Sequence, residues 1–155
     1  MYNKNAKHSN VLNIKTVLIF ITTSFIYLLS GIIILMIDMI SGLGIRRDAI
    51  FIMWLFGFVA MIVFGLSYMF VSGFTRNKAL MNSTMKYEYI FLNIGVITFF
   101  AGFSGIIAAD FTLDIAGAGL MLLIIAITLH IFNIAFSAFS GNQNNTKERN
   151  FSDSQ

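Results

Sequence analysis

The feature that most constrains this chain is an uncharged run from Thr16 to Ile37, TVLIFITTSFIYLLSGIIILMI. A helix needs about 20 apolar residues to cross the hydrocarbon core of a bilayer. Further long apolar runs follow, and charged residues make up only 11% of the sequence, against about 25% in a soluble protein. The runs are continuously apolar and do not alternate with polar residues, so membrane-spanning helices are expected and barrel strands are not.

The sequence therefore predicts an all-α integral membrane protein with four transmembrane helices in an up-down bundle. The predicted domain covers residues 16–139, with spans at about residues 16–37, 49–74, 89–109 and 115–139. Residues 1–15 form a polar segment before the first span. Residues 140–155 are polar and lack apolar periodicity, so they are predicted to form a mobile tail.

The basic residues predict how this bundle is oriented. Of the ten lysines and arginines, only Arg46 and Arg47 lie between the first two spans. The others lie before the first span, between the second and third spans, or in the tail. By the positive-inside rule both termini are cytoplasmic, which is the expectation for a multi-pass protein of the cell membrane. Charge placed at membrane boundaries in this way does not indicate nucleic-acid binding.

Polar and aromatic residues at the ends of the spans are interpreted as boundary residues. Trp54 is expected at the outer membrane interface, and Asp38 is expected to form a solvated pair with Arg46 or Arg47. Glu88, beside Lys86, is interpreted in the same way at the inner boundary. Asp114 is placed to cap the fourth span through its carboxylate.

Small residues predict where the helices approach each other closely. In the third and fourth spans they favour a tight antiparallel hairpin, which a Gly105→Leu substitution should weaken. A second stripe at helical spacing in the second span is interpreted as a groove for a neighbouring helix, or alternatively as a face for a tetrapyrrole, quinone or lipid tail. The predicted packing residues are Gly57, Gly65, Ala101, Gly105, Ala109, Gly117 and Gly119, and the stripe is Gly57, Met61, Phe64 and Tyr68.

Few residues in the spans can carry chemistry. His130 lies well inside the fourth span, and Asn133 is three residues on, so both can hydrogen-bond to a common partner. His130 is interpreted either as an axial haem ligand or proton-relay group, or as a neutral histidine hydrogen-bonded to another helix. There is no cysteine, and no serine, histidine and acid lie at one depth, so no catalytic residue is predicted and the chain is not expected to be an enzyme.

One part of the sequence resembles a known group of membrane proteins. GFVAMIVFGLSYMF (Gly57 to Phe70), followed by Leu92, Asn93 and Gly95 in the third span, is similar to small proteins related to subunit I of haem-copper oxidases or to NnrS-type haem proteins. The histidines that bind haem in that group are missing here. The resemblance implies a non-catalytic relative in which Met53 or Met69 could still be an axial haem ligand. With His130, a candidate from its position in the fourth span, these are the possible cofactor-binding residues, and haem is the cofactor left open.

Size, the lack of catalytic groups and this resemblance lead to one expected function. The chain is expected to be a structural or accessory subunit of a larger membrane complex, such as a respiratory terminal oxidase. Its expected partners are the lipid bilayer and other membrane subunits. A small oligomeric transporter or channel, or a haem- or quinone-binding membrane protein, are the alternatives.

Overall fold

The structure, a computed structural model, describes residues 14–72, 78–106 and 112–152, with side chains described for 14–71, 83–106 and 112–136. It is all-helical over these residues. Helix α1 covers Ile14–Ser41, and α2 covers Arg47–Met53. A π-helical segment, Trp54–Ala60, joins α2 without a break to α3, Met61–Ser72. Helix α4 covers Lys78–Phe103, and α5 covers Thr112–Ser152.

In the described part of the chain, three helices are long and apolar enough to cross a membrane. They are Ile14–Ser41, the continuous helix Arg47–Val71, and Thr112–Phe136 within α5. The membrane character predicted from the sequence is confirmed at this level. Helix α4 does not meet the same standard of hydropathy, since Lys86, Glu88 and Asn93 lie within it.

Two helix ends differ from the predicted spans. Helix α4 ends at Phe103 and does not continue to residue 109, because Gly105 takes a φ of +81°, a left-handed conformation that ends a helix and that glycine adopts at little cost. Helix α5 continues to Ser152, through residues that were predicted to form a mobile tail. Its run from Asn142 onward contains no proline, so nothing in it forces the backbone out of the helix.

Close contacts at glycines define two antiparallel helix pairs. Helices α4 and α5 form the most extensive pair. A Cβ at Gly95 would lie 2.9 Å from Leu123 Cδ2, and Cβ atoms at Gly102 and Gly119 would meet the backbones of Ala116 and Phe99. As residue numbers rise along α4, the residues of α5 that they contact fall in number, so the two helices are antiparallel. This confirms the predicted hairpin of the third and fourth helices.

Helix α1 pairs with the continuous second helix in the same antiparallel way. A Cβ at Gly57 would lie 2.5 Å from the Tyr27 ring, and one at Gly65 would lie 3.3 Å from Phe20 Cβ. Further along, the indole of Trp54 lies against Gly31. The stripe of Gly57, Met61, Phe64 and Tyr68 is buried throughout, which agrees with its interpretation as a helix-packing groove.

Not all of the predicted packing residues lie at helix contacts. Gly105 is exposed beyond the end of α4, where the nearest atom to an added Cβ is Arg46 Cγ at 3.9 Å. A leucine there would be strained by the backbone conformation, and its Cβ would meet no described atom closer than 3.9 Å. A Cβ at Gly117 would meet nothing within 4 Å. Ala101 is half-buried, and Ala109 lies outside the described residues.

The boundary residues also differ from expectation. The Asp38 carboxylate accepts a hydrogen bond from the Ile45 backbone N–H at 2.8 Å, which fixes the loop after α1. The Arg46 guanidinium lies 4.0 Å from the centre of the Phe103 ring, a cation–π contact between the first loop and α4. Asp38 is therefore a loop-fixing residue and was wrongly interpreted as the partner of an arginine.

Asp114 and Trp54 need similar corrections. Helix α5 begins at Thr112, so Asp114 is an exposed acid in its first turn. There it interacts with the helix dipole, which is a different role from capping. The Trp54 ring packs between helices, and its Nε1 is a buried donor with no acceptor among the described residues. Trp54 therefore does not present its N–H to a membrane interface.

Candidate functional site

Three helices bring polar side chains together inside the bundle. Buried residues of α4 recur at the positions of Met85, Glu88, Leu92 and Phe99, so Glu88 belongs to the buried stripe of its helix. Its side chain is 0% exposed. The interpretation of Glu88 as a solvated boundary residue is therefore wrong, because one helical turn separates it from the buried Leu92 on the same face.

The Glu88 carboxylate is held by side chains from two other helices. Tyr68 of α3 donates its hydroxyl to Oε2 at 2.5 Å. Asn133 of α5 donates from Nδ2 to the Tyr68 hydroxyl oxygen at 2.8 Å, and the same nitrogen lies 3.5 Å from Glu88 Oε1. A carboxylate buried in apolar surroundings is tolerated only when its charge and its lone pairs are met in this way.

His130 completes the site. Its Nδ1 lies 3.0 Å from Glu88 Oε2, and its side chain is only 7% exposed. Its Nε2 lies 2.9 Å from the Ser67 hydroxyl. The Phe64 ring is stacked on the imidazole with 3.7 Å between centroids and 4° between planes. The prediction that His130 and Asn133 face a common partner is confirmed, and Glu88 is that partner. Glu88, His130, Tyr68, Asn133 and Ser67 are called the polar cluster below.

The polar cluster can hold His130 with one proton or with two. An ionised Glu88 only accepts hydrogen bonds, so His130 Nδ1 carries a proton toward it. The Ser67 hydroxyl also lies 2.8 Å from the Phe64 carbonyl oxygen, to which it can donate. When it donates there, the Ser67 oxygen accepts a hydrogen bond from the Nε2–H group, and His130 is a cation stacked on Phe64. When the hydroxyl turns to Nε2 instead, His130 is neutral. Rotation of one hydroxyl thus accommodates both protonation states.

Apolar packing closes the cluster on one side, and Ser67 leaves it partly open on another. Tyr68 packs with Val17 and Met85, and all three are essentially inaccessible. Glu88, His130 and Asn133 are buried as well. Ser67 is the half-buried member. Of the five side chains, its hydroxyl is therefore the one from which His130 can exchange a proton with the surroundings.

A second group of polar side chains joins α1 to α4 on the neighbouring face of α4. Thr23 Oγ1 and the Tyr89 hydroxyl lie 2.8 Å apart, and Tyr27 donates to Asn93 Oδ1 at 3.1 Å. Asn93 in turn donates to the Tyr89 carbonyl oxygen at 2.7 Å. These neutral groups satisfy each other, and they contain no residue that changes charge near neutral pH.

Comparison with family models, with curated proteins and with solved structures found no match for this chain. The resemblance to proteins related to haem-copper oxidases therefore stays a prediction.

The predicted cofactor ligands do not converge on one another. Both nitrogens of His130 are occupied by Glu88 and Ser67, and Phe64 covers one face of its ring. Met53 is buried in the apolar core about 22 Å along the second helix from Tyr68, at a rise of about 1.5 Å per residue. Met69 is 52% exposed. As arranged here, these residues do not fit an axial haem site.

A metal site is not found either: within the residues that the structure describes, no three histidine or acidic side chains are grouped in a way that could bind a metal ion.

Three of the five residues of the polar cluster were predicted from the sequence to face another helix. His130 and Asn133 were identified from their spacing, and Tyr68 from its stripe, but Tyr68 was assigned only to packing. Glu88 and Ser67 were missed as functional residues. The signal for Glu88 was present, because it falls at helical spacing between Met85 and Leu92, both fully buried. Because Lys86 is nearby in sequence, the region was interpreted as a membrane boundary, and Glu88 was assigned to the solvated side.

Proposed function

We propose that this chain is a small proton-coupled membrane transport protein whose proton-binding site is the pair Glu88–His130. The observation that supports this most strongly is the 3.0 Å contact between two titratable groups that are both buried. An ionisable group inside membrane-spanning helices is costly, and its most frequent use there is to carry protons or ions. His130 is one such group, and the buried Glu88 supplies a second beside it.

In the proposed proton path, the proton enters at Ser67 and is bound on Glu88, and it leaves by the same two transfers in reverse. The Ser67 hydroxyl passes a proton to His130 Nε2 and takes up another from its surroundings. The imidazolium then transfers its Nδ1 proton to Glu88 Oε2, which leaves His130 neutral and Glu88 protonated. Tyr68 and Asn133 position the carboxylate throughout. Histidine suits this role because its usual pKa is close to physiological pH.

The proposed topology places α1, the second helix, α4 and α5 across the cell membrane, with both termini in the cytoplasm. Its support is the distribution of lysine and arginine in the sequence. The cluster then lies toward the cytoplasmic end of the bundle, since Lys86 is two residues from Glu88 and is exposed.

Proton flux in reconstituted vesicles tests the proposal. Vesicles containing the purified chain and a trapped pH indicator are given a potassium diffusion potential. The wild-type chain should carry protons, and Glu88→Gln should reduce the flux to the rate of empty vesicles. Asp114→Asn is the matched control, because it removes an exposed carboxylate from the start of α5. Equal flux in wild-type and Glu88→Gln vesicles would refute a role for this pair in transport.

A second candidate function is the structural or accessory subunit of a larger membrane complex, such as a respiratory oxidase. The observation that favours it is that every side chain in the polar cluster has a partner on another helix, as in hydrogen bonding that only holds helices together. Native purification in mild detergent tests it. Respiratory subunits recovered in fixed ratio, together with no proton flux, would favour this function over transport.

A further inference from the structure

Two lysines from different helices border one cavity at the surface of the bundle. The cavity has a volume of about 440 Å³ and lies between the start of α1 and the first half of α4. Its lining residues are Lys15, Thr16, Ile19, Lys86, Tyr89 and Ile90. It is separate from the polar cluster, none of whose five side chains lines it.

The two ammonium groups at this cavity are not neutralised by any described side chain. Lys15 and Lys86 are exposed, and among the described side chains neither ammonium group has an ion-pair partner. Two cations at one opening favour an anion, and phosphate oxygens accept from lysine at such sites. Lysines that end membrane spans lie at the level of the lipid headgroups.

The remaining walls are mostly apolar. Ile19 and Ile90 are 47% and 49% exposed on the outer surface of the bundle, where the neighbouring molecules are acyl chains. A free phosphate ion would use only the cationic rim and leave these walls unused. A phospholipid uses both, with its phosphate between the lysines and one acyl chain along the isoleucines.

We propose that this cavity is a binding site for an acidic phospholipid. The headgroup phosphate lies between the ammonium groups of Lys15 and Lys86, and an acyl chain covers Ile19 and Ile90. The lipid thereby joins α1 to α4, which supplements the hydrogen bonds that Thr23 and Tyr27 make to α4. A lipid at this place is adjacent to the helix that carries Glu88. The proposal requires insertion in a membrane but does not depend on proton transport.

Native mass spectrometry of the full chain in detergent tests the site. The protein is titrated with phosphatidylglycerol and, separately, with phosphatidylcholine of the same acyl chains. We expect phosphatidylglycerol to be retained preferentially. Because each basic residue near a membrane surface contributes to the attraction of acidic lipid, Lys86→Gln should weaken retention about fivefold and the Lys15→Gln, Lys86→Gln double variant about thirtyfold. Arg47→Gln, which removes an exposed cation in α2, should leave retention unchanged.

Three results would overturn the proposal. The first is equal retention of the two lipids by the wild-type chain. The second is undiminished retention by the double variant, which is expected to fold because both lysines are exposed. The third is displacement of phosphatidylglycerol by inorganic phosphate at similar concentration, which would make the cavity a site for a soluble anion.

Discussion

At the scale of single residues, the polar cluster shows how a bundle of apolar helices accommodates a carboxylate. Glu88 is fully buried, and it is tolerated because Tyr68 and His130 both contact Oε2. The partners come from helices distant in sequence, so no local pattern indicates the set. Helical spacing within α5 was sufficient to pair His130 with Asn133. The identity of the residue that they face depends on how the helices pack.

Replacing Glu88 with leucine should destabilise the protein. The change leaves the Tyr68 hydroxyl and His130 Nδ1 buried without the carboxylate oxygen that they contact, and breaking a buried pair in this way costs about 3–5 kcal/mol. Glu88→Gln keeps a carbonyl oxygen of similar shape and should cost markedly less. Thermal unfolding in detergent measures both variants. Equal stability of Glu88→Leu and the wild-type chain would contradict the described hydrogen bonds.

Removing the Ser67 hydroxyl should slow proton flux and leave the fold intact. His130 Nε2 loses the group through which it is proposed to exchange protons, so we expect a reduction of about a hundredfold or more, the range for loss of one proton-transfer group. Ser24→Ala is the matched control, because Ser24 also donates to a carbonyl three residues earlier in its own helix. If the two variants had equal flux, Ser67 would not lie on the proton path.

At the scale of helices, the sequence predicts the elements better than their contacts. Long apolar runs located the helices, and small residues identified α4 and α5 as a close pair. The residues in contact differ in part, because Gly105 ends α4 and Gly117 faces away from it. Gly102, which was not predicted, packs against Ala116. Apolar residues surround every helix of a membrane protein, so hydrophobic periodicity does not distinguish the packed face from the lipid-facing one.

Two glycines of α5 allow a matched test of this contact. A methyl group at Gly119 would meet the Phe99 backbone, whereas one at Gly117 would meet open space. Gly119→Ala should therefore destabilise the protein by about 1–3 kcal/mol. Gly117→Ala should be neutral or stabilise it by up to about 1 kcal/mol, since alanine is the better helix former. Thermal unfolding in one detergent compares them, and the reverse order would contradict the described packing of α5 on α4.

At the scale of the whole molecule, the antiparallel helix pairs enclose a large apolar cluster and a smaller one around Tyr68, and the polar cluster lies where α3, α4 and α5 meet. Helix α1 adds the second polar group through Thr23 and Tyr27. Long apolar runs and the low content of charged residues predicted a membrane protein. Its orientation is a further prediction, based on where the basic residues lie.

The proposed orientation can be tested directly because the chain has no cysteine. Single cysteines at Ser9, Ser41 and Ser154 can be labelled in intact cells with a reagent that does not cross membranes. We expect labelling at Ser41 alone, since both termini are proposed to be cytoplasmic. Labelling at either terminus in intact cells would contradict the proposed topology.

The most direct test of the central claim compares proton flux in Glu88→Gln, His130→Gln and the double variant. Substitutions in groups that act as a unit have non-additive effects. Replacing either Glu88 or His130 should therefore reduce the proton flux about as much as replacing both. We predict that all three variants show the same low flux, at matched amounts of folded protein in the vesicles. Wild-type flux in either single variant, or losses that multiply in the double variant, would contradict the account of Glu88 and His130 as one proton-binding pair.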